Sequence, residues 1–127
     1  MALIPEEKRN VAVLGASPKA ERYSNQAVRL LGRYDYRPIP VNPAFGEIEG
    51  LTCYPTLAAI GQPLHTITVY LSPARSTPLI DQILAANPRR IIMNPGAEND
   101  ALAEAASSAG IEVVEGCTLV MLKTGLF

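Results

Sequence analysis

A chain of 127 residues has the length of one domain and little to spare for a second, so residues 1–127 read as a single unit. Hydrophobic residues make up 48% and charged residues 18%, which excludes a disordered chain, and a formal net charge of −1 gives no overall attraction to nucleic acid or an anionic membrane. Cys53 and Cys117 are too few for a disulfide framework, Met1 to Asn10 lacks the apolar run of a leader, and nothing approaches the roughly 20 apolar residues that cross a bilayer, so the expected setting is the cytoplasm.

Val11 to Leu14 is an apolar run closed by Gly15, the pattern of a strand buried on both faces. From Ser24, placed to cap, Ala27, Val28, Leu30 and Leu31 form one helical face, with Gly32 where a glycine would end it. Tyr36 to Val41 is the second strand. Pro38 and Pro40 lack amide donors, so part of it is expected to be irregular or near an end. Asn42 to Gly61 is the least regular stretch, with Glu49-Gly50 placed to reverse a small hairpin before a short helix at Thr56 to Ile60.

Thr66 to Leu71 reads as the third strand, and Ser76-Thr77-Pro78 as a helix start followed by the stripe Leu79, Ile80, Ile83 and Leu84. Arg90 to Met93 is the fourth strand. Asn99 then caps a helix with Leu102, Ala105, Ala106 and Ala109 facing inward and Gly110 ending it. Ile111 to Val114 is the fifth strand, and an apolar tail runs from Thr118 to Phe127. The tail is expected to pack on its own chain, with a homodimer as the alternative.

Strands alternating with helices imply an α/β fold: a Rossmann-like, mainly parallel, five-stranded open sheet with helices on both faces. Right-handed crossovers put the strand-to-helix loops at the carboxyl edge, where such sheets bind ligands. That rule selects Gly15 to Ser24, Val41 to Gly46, Leu71 to Ser76 and Asn94 to Asn99, with Glu115 to Thr118 beside them.

In the first of these loops Gly15 allows a sharp turn and a close backbone approach, and the following helix start favours a phosphate. Ser17 and Ser24 bring hydroxyls; Lys19 and Arg22 bring positive charge. The plain alternative is a tight turn with solvated charges. The loop is not G-x-G-x-x-G, since Ser17 and Ala20 replace the later glycines, and it is not a P-loop. The second strand ends in Val41-Asn42-Pro43 rather than in the acid that holds a ribose in NAD sites, which counts against NAD without removing it.

Gly15-Ala16-Ser17, Val41-Asn42-Pro43, Leu71-Ser72-Pro73 and Asn94-Pro95-Gly96, in that order, resemble the small stand-alone CoA-binding domain family, which is similar to the N-terminal domain of the succinyl-CoA synthetase α subunit. Glu115 to Met121 is similar to one branch of it. The resemblance runs from about Asn10 to the C-terminus and implies coenzyme A as the cofactor. It implies that Gly15 to Arg22 contacts phosphates and that Val41, Asn42 and Pro43 flank adenine and ribose. Ser72 and Pro73 would then line the path of the pyrophosphate and pantetheine, with Asn94, Pro95 and Gly96 nearer the thiol. Lys19, Arg22 and Arg75 are the candidates for pairing with phosphate. The synthetases carry a further domain with a phosphorylated histidine, so their ligase chemistry is not implied here.

No catalytic constellation assembles. His65 precedes the third strand, on the far edge of the sheet, and no metal-ligand spacing occurs. Cys117 has three readings: a small buried hydrophobe, a wall residue near the CoA thiol, or a reactive thiolate. Cys53 reads as packing, and the tyrosines form no stacking platform for nucleic acid. The resulting expectation is a non-catalytic module binding CoA or an acyl-CoA. The alternatives are a small CoA-dependent redox or acyl-transfer enzyme using Cys117, and a binder of another nucleotide such as NAD.

Overall fold

The computed structural model describes residues 4–127. Met1 to Leu3, part of the stretch read as lacking a leader, lie outside the described residues. Five parallel strands form the main sheet: β1 (Asn10–Leu14), β2 (Arg37–Val41), β5 (Thr66–Val69), β6 (Arg90–Met93) and β7 (Glu112–Glu115). Two short strands, β3 (Glu47–Ile48) and β4 (Leu51–Thr52), make an antiparallel hairpin outside it. The order across the sheet is β2-β1-β5-β6-β7, so the winding reverses between β1 and β5. A crevice therefore opens above the carboxyl ends of those two strands.

Alternation along β1 sets the two faces. Ala12 and Leu14 join a core with Ile67, Val69, Ile91 and Met93 under the 3-10 turn Leu57–Ile60 and the helices α3 (Ile80–Ala86) and α4 (Asp100–Ser108). Val11 and Val13 face the other way, against α1 (Tyr23–Arg33) and α5 (Thr118–Thr124) through Val28, Leu31 and Leu122. Leu31, Ile83, Ile91 and Leu102 are fully buried, each side chain contributing about 1.5–3 kcal/mol by leaving water. Among the described residues no helix is long and apolar enough to cross a membrane.

Several expectations are corrected in detail. Strand β2 is regular and lies at the sheet edge. Its Arg37 amide donates to Arg9 O, so the two-residue period turns positions 38 and 40 outward, where a missing N–H costs nothing. Gly32 is inside α1, and Asp35 takes the left-handed turn instead at φ 68°. Ser24 is not the cap: Arg22 holds that position, in extended conformation. The helix after β5 starts at Pro73 as α2 (Pro73–Ser76), tightens to a 3-10 turn at Thr77–Leu79 and continues as α3. Ala109 is exposed, and Ala103 packs on the core in its place. The fifth strand is shifted by one residue to Glu112–Glu115. The tail folds back as α5, burying Leu119 and Leu122 while Val120 and Leu126 stay exposed.

Candidate functional site

The loop after β1 is held from beneath. Gly15 sits at φ +90°, and a Cβ there would lie 2.9 Å from Leu71 Cδ2, so both conformation and space require glycine. The Gly15 and Ala16 amides donate to Val41 O (3.1 and 3.3 Å), which ties the loop to the end of β2. Asn42 Nδ2 donates to Ala16 O (2.8 Å), Asn25 Nδ2 to Ser17 O (2.9 Å) and Arg29 Nη2 to Ala20 O (2.8 Å). The Ala16, Ser17 and Ala20 carbonyls are thus consumed on the protein side.

The start of α1 is left open. No side chain caps it, and Gln26 N is the first amide there to find a carbonyl, on Arg22 O. The preceding amides and the helix dipole together favour an anion. Ser24, buried, lies in this first turn, and Arg22 stands at its mouth. Neither Arg22 nor Arg75 has a carboxylate within ion-pair distance among the described residues; the ion pairs there join Glu6 to Arg9 and Arg37.

Two hollows meet over the crevice. The first, about 410 Å³, brings together Gly15, Ala16, Ser17, Arg22 and Ser24 from the first loop. Asn42, Leu71, Ser72, Arg75, Pro95 and Gly96 close it from the neighbouring strand ends. The second, about 260 Å³, lies toward α3 and includes Val41 and Pro43. Gly15, Asn42, Leu71 and Arg75 belong to both. Thirteen of the expected site residues are thereby gathered at one edge.

Lys19, Pro73, Asn94 and Cys117 do not line either hollow. Lys19 is exposed on the loop, its amide bonded to Ser17 Oγ at 3.1 Å. Pro73 opens α2, and its carbonyl accepts from Asn99 Nδ2 at 3.4 Å. Asn94 is turned inward. Its Nδ2 donates to Thr68 Oγ1 (2.6 Å) and Val69 O (2.9 Å), and its Oδ1 accepts from Thr118 N (2.9 Å). It fastens α5 to the sheet. The rest of that loop is equally committed: Gly96 N donates to Glu98 Oε1 (2.8 Å), and Asn99 caps α4 by accepting from Leu102 N while its Nδ2 donates to Ser76 Oγ (2.8 Å).

Cys117, half-buried, is the residue before α5 and lies near Tyr70. Burial, with Cys117 adjacent, pushes the Tyr70 phenol well above its ordinary range. Among the described residues its buried hydroxyl has no hydrogen-bond partner, and the Thr68 and Thr118 hydroxyls are bonded to each other at 2.8 Å. Cys53 is buried, its thiol pushed up by desolvation, and its Sγ donates to Asn42 O. His65 lies at the start of β5, its Nδ1 2.9 Å from Thr66 Oγ1, on the edge away from the hollows. Among the described residues no three His, Cys, Asp or Glu side chains cluster as metal ligands.

Reading the sequence missed Tyr70 in the first hollow and Leu14, Pro55, Thr56, Leu57, Leu79 and Gln82 in the second, while Tyr23 and Ala97 fall inside the selected loops without having been singled out. Tyr70 and Tyr23 adjoin residues already singled out. The Pro55 to Leu57 wall carried no local signal, because it reaches the site through the pairing of Tyr54 with Val41 at the outer edge of β2.

Residues 9–123 match the model of the CoA binding domain family. The chain belongs to that family. A solved structure of an uncharacterized protein is similar over 94% of this chain and 98% of its own, at 36% identity and a TM-score of 0.84. Another, from Thermus thermophilus, is 29% identical, covering 95% of this chain and 92% of its own with a TM-score of 0.87. An ADP-forming acetate–CoA ligase of Archaeoglobus fulgidus is 32% identical over 68 residues, which is 54% of this chain and 10% of the ligase. The chain thus matches about a tenth of that curated relative's length. The residues at the crevice fit the cofactor: open amides at a helix start and arginines without carboxylates suit its phosphates, and an apolar hollow beside them suits its base.

Proposed function

We propose that the protein binds coenzyme A or an acyl-CoA in the crevice between β1 and β5, as a single-domain binding or regulatory module without turnover. The uncapped start of α1, with Arg22 and Arg75 free of carboxylates among the described residues, carries this reading. The phosphates lie against the first-turn amides and Ser24, between the two arginines. The adenine end enters the second hollow beside Val41 and Pro43. The pantetheine arm passes Ser72 toward Pro95 and Gly96. Bound CoA supplies a thiol that carries acyl groups as thioesters; this chain's residues bind and orient it.

Two features favour this over the enzyme and NAD readings. Cys117 lines neither hollow. The polar residue ending β2 is Asn42, whose amide is already used on Ala16 O and Ala44 N, so no carboxylate waits for a ribose.

The test is calorimetric titration with CoA, dephospho-CoA, acetyl-CoA and NAD, together with an overnight incubation in acetyl-CoA. CoA and acetyl-CoA are expected to bind and NAD not, with acetyl-CoA recovered intact. Arg22→Ala and Arg75→Ala should each weaken CoA about tenfold, the loss of one charge-assisted phosphate contact of about 1.4 kcal/mol. Unchanged affinity in both variants would overturn the placement of the phosphates. Consumption of acetyl-CoA that persists through purification and stops in Cys117→Ser would overturn the non-catalytic reading.

A further inference from the structure

The second hollow has apolar walls from Leu14, Val41, Pro43, Leu57, Leu71 and Leu79, with few polar side chains set among them. Those are Asn42, Thr56, Arg75 and Gln82. Asn42 is held by the loop, its Nδ2 on Ala16 O and its Oδ1 on Ala44 N. Arg75 borders the first hollow as well and so belongs at the phosphate end. Gln82 lines the second hollow alone, three residues beyond Leu79 along the same helical stripe, and among the described residues neither its amide nor the Thr56 hydroxyl has a partner within the chain.

An amide offers one acceptor and a pair of donors side by side. Adenine presents a matching pair on one edge, the 6-amino donor beside the N7 acceptor, whereas guanine presents two acceptors, O6 and N7. Guanine would set its O6 against the Gln82 carbonyl oxygen. We infer that Gln82, on the hollow that Thr56 also lines, is the base-reading residue of this crevice and makes it select adenine over guanine nucleotides. The inference rests on the proposed site, whose phosphate end fixes which end of the ligand the second hollow receives.

ADP and GDP share their ribose and diphosphate and differ in the base, so they are the probes, with CoA titrated in parallel. The wild type should bind ADP at least tenfold more tightly than GDP. Gln82→Leu should bring the ratio below about threefold. Gln82→Arg, which presents two donors to O6 and N7, should invert it. Gln82 is exposed on α3, so both variants are expected to fold, and circular dichroism verifies that they do. If CoA binds and the ADP to GDP ratio is the same in all three proteins, the role of Gln82 is overturned while the site stands. Binding of neither CoA nor ADP by the wild type overturns both.

Discussion

The loops after β1 and β6 leave the same edge of one sheet and do opposite things with their polar groups. After β6, nearly every donor and acceptor is answered inside the chain: Asn94 by Thr68, Val69 and Thr118, Gly96 N by Glu98, and the start of α4 by Asn99. After β1, the Ala16, Ser17 and Ala20 carbonyls are answered, but the start of α1 is uncapped and Arg22 has no carboxylate partner among the described residues. A satisfied loop is scaffold. An unsatisfied one beside it, kept rigid by Asn25, Arg29 and Asn42, is where a ligand completes the hydrogen bonding. Residue type alone does not separate the two, since both loops hold glycine and polar side chains.

The sharpest way to break this contrast is Asn94→Ala. It strands the Thr118 amide in the interior and takes a donor from Thr68 Oγ1, and should cost about 3 kcal/mol, lowering Tm by roughly 10 °C in a thermal melt. CoA affinity of the fraction still folded should be close to that of the wild type; a tenfold loss without a change in Tm would put Asn94 among the binding residues. Gly15→Ala is next. The alanine must hold φ near +90° with its Cβ against Leu71, so about 2 kcal/mol of stability should be lost together with CoA affinity. An unchanged Tm would show that the loop moves more freely than its hydrogen bonds indicate.

The smallest effect belongs to the opposite edge of the sheet, outside both loops. Burial, aided by Arg90, Lys8 and Arg89, holds the His65 imidazole below its ordinary value of 6.5. The folded state therefore binds fewer protons than the unfolded one, so this contribution is complete at higher pH and is lost as pH falls through 6.5 and below. Between pH 7.5 and 5.5, His65→Gln should lose roughly 1–2 °C less in Tm than the wild type, with CoA binding unaffected. A pH-dependent change in CoA affinity confined to the wild type would tie the two edges together.

Much of the scaffold was legible because its signals are local. Val11 to Leu14 is apolar at consecutive positions because the strand is covered on both sides, and Glu49-Gly50 supplies the two positive φ angles of the hairpin, 52° and 73°. The helix after β5 was expected to start at Ser76-Thr77-Pro78. It starts earlier, with Pro73 in the opening turn, and Pro78 falls in the tightened 3-10 segment instead. What stayed hidden depends on distant partners. Asn94 faces inward because Thr68 and Thr118 meet it there, residues 26 and 24 positions away. The wall of the second hollow arrives through Tyr54, paired across the outer rim of β2. Gln82 is an ordinary surface glutamine until Leu79 and the crevice give it something to face.

The outward prolines of β2 also govern what neighbouring molecules can do. An open sheet has two flanks on which a stray strand can grow the ladder into an aggregate. At one flank, positions 38 and 40 offer no N–H, and the Pro40 carbonyl is already taken by Tyr54. At the other, β7 begins and ends in exposed glutamates, Glu112 and Glu115, whose charges repel a like strand laid alongside. The sheet is closed to extension chemically at one flank and electrostatically at the other.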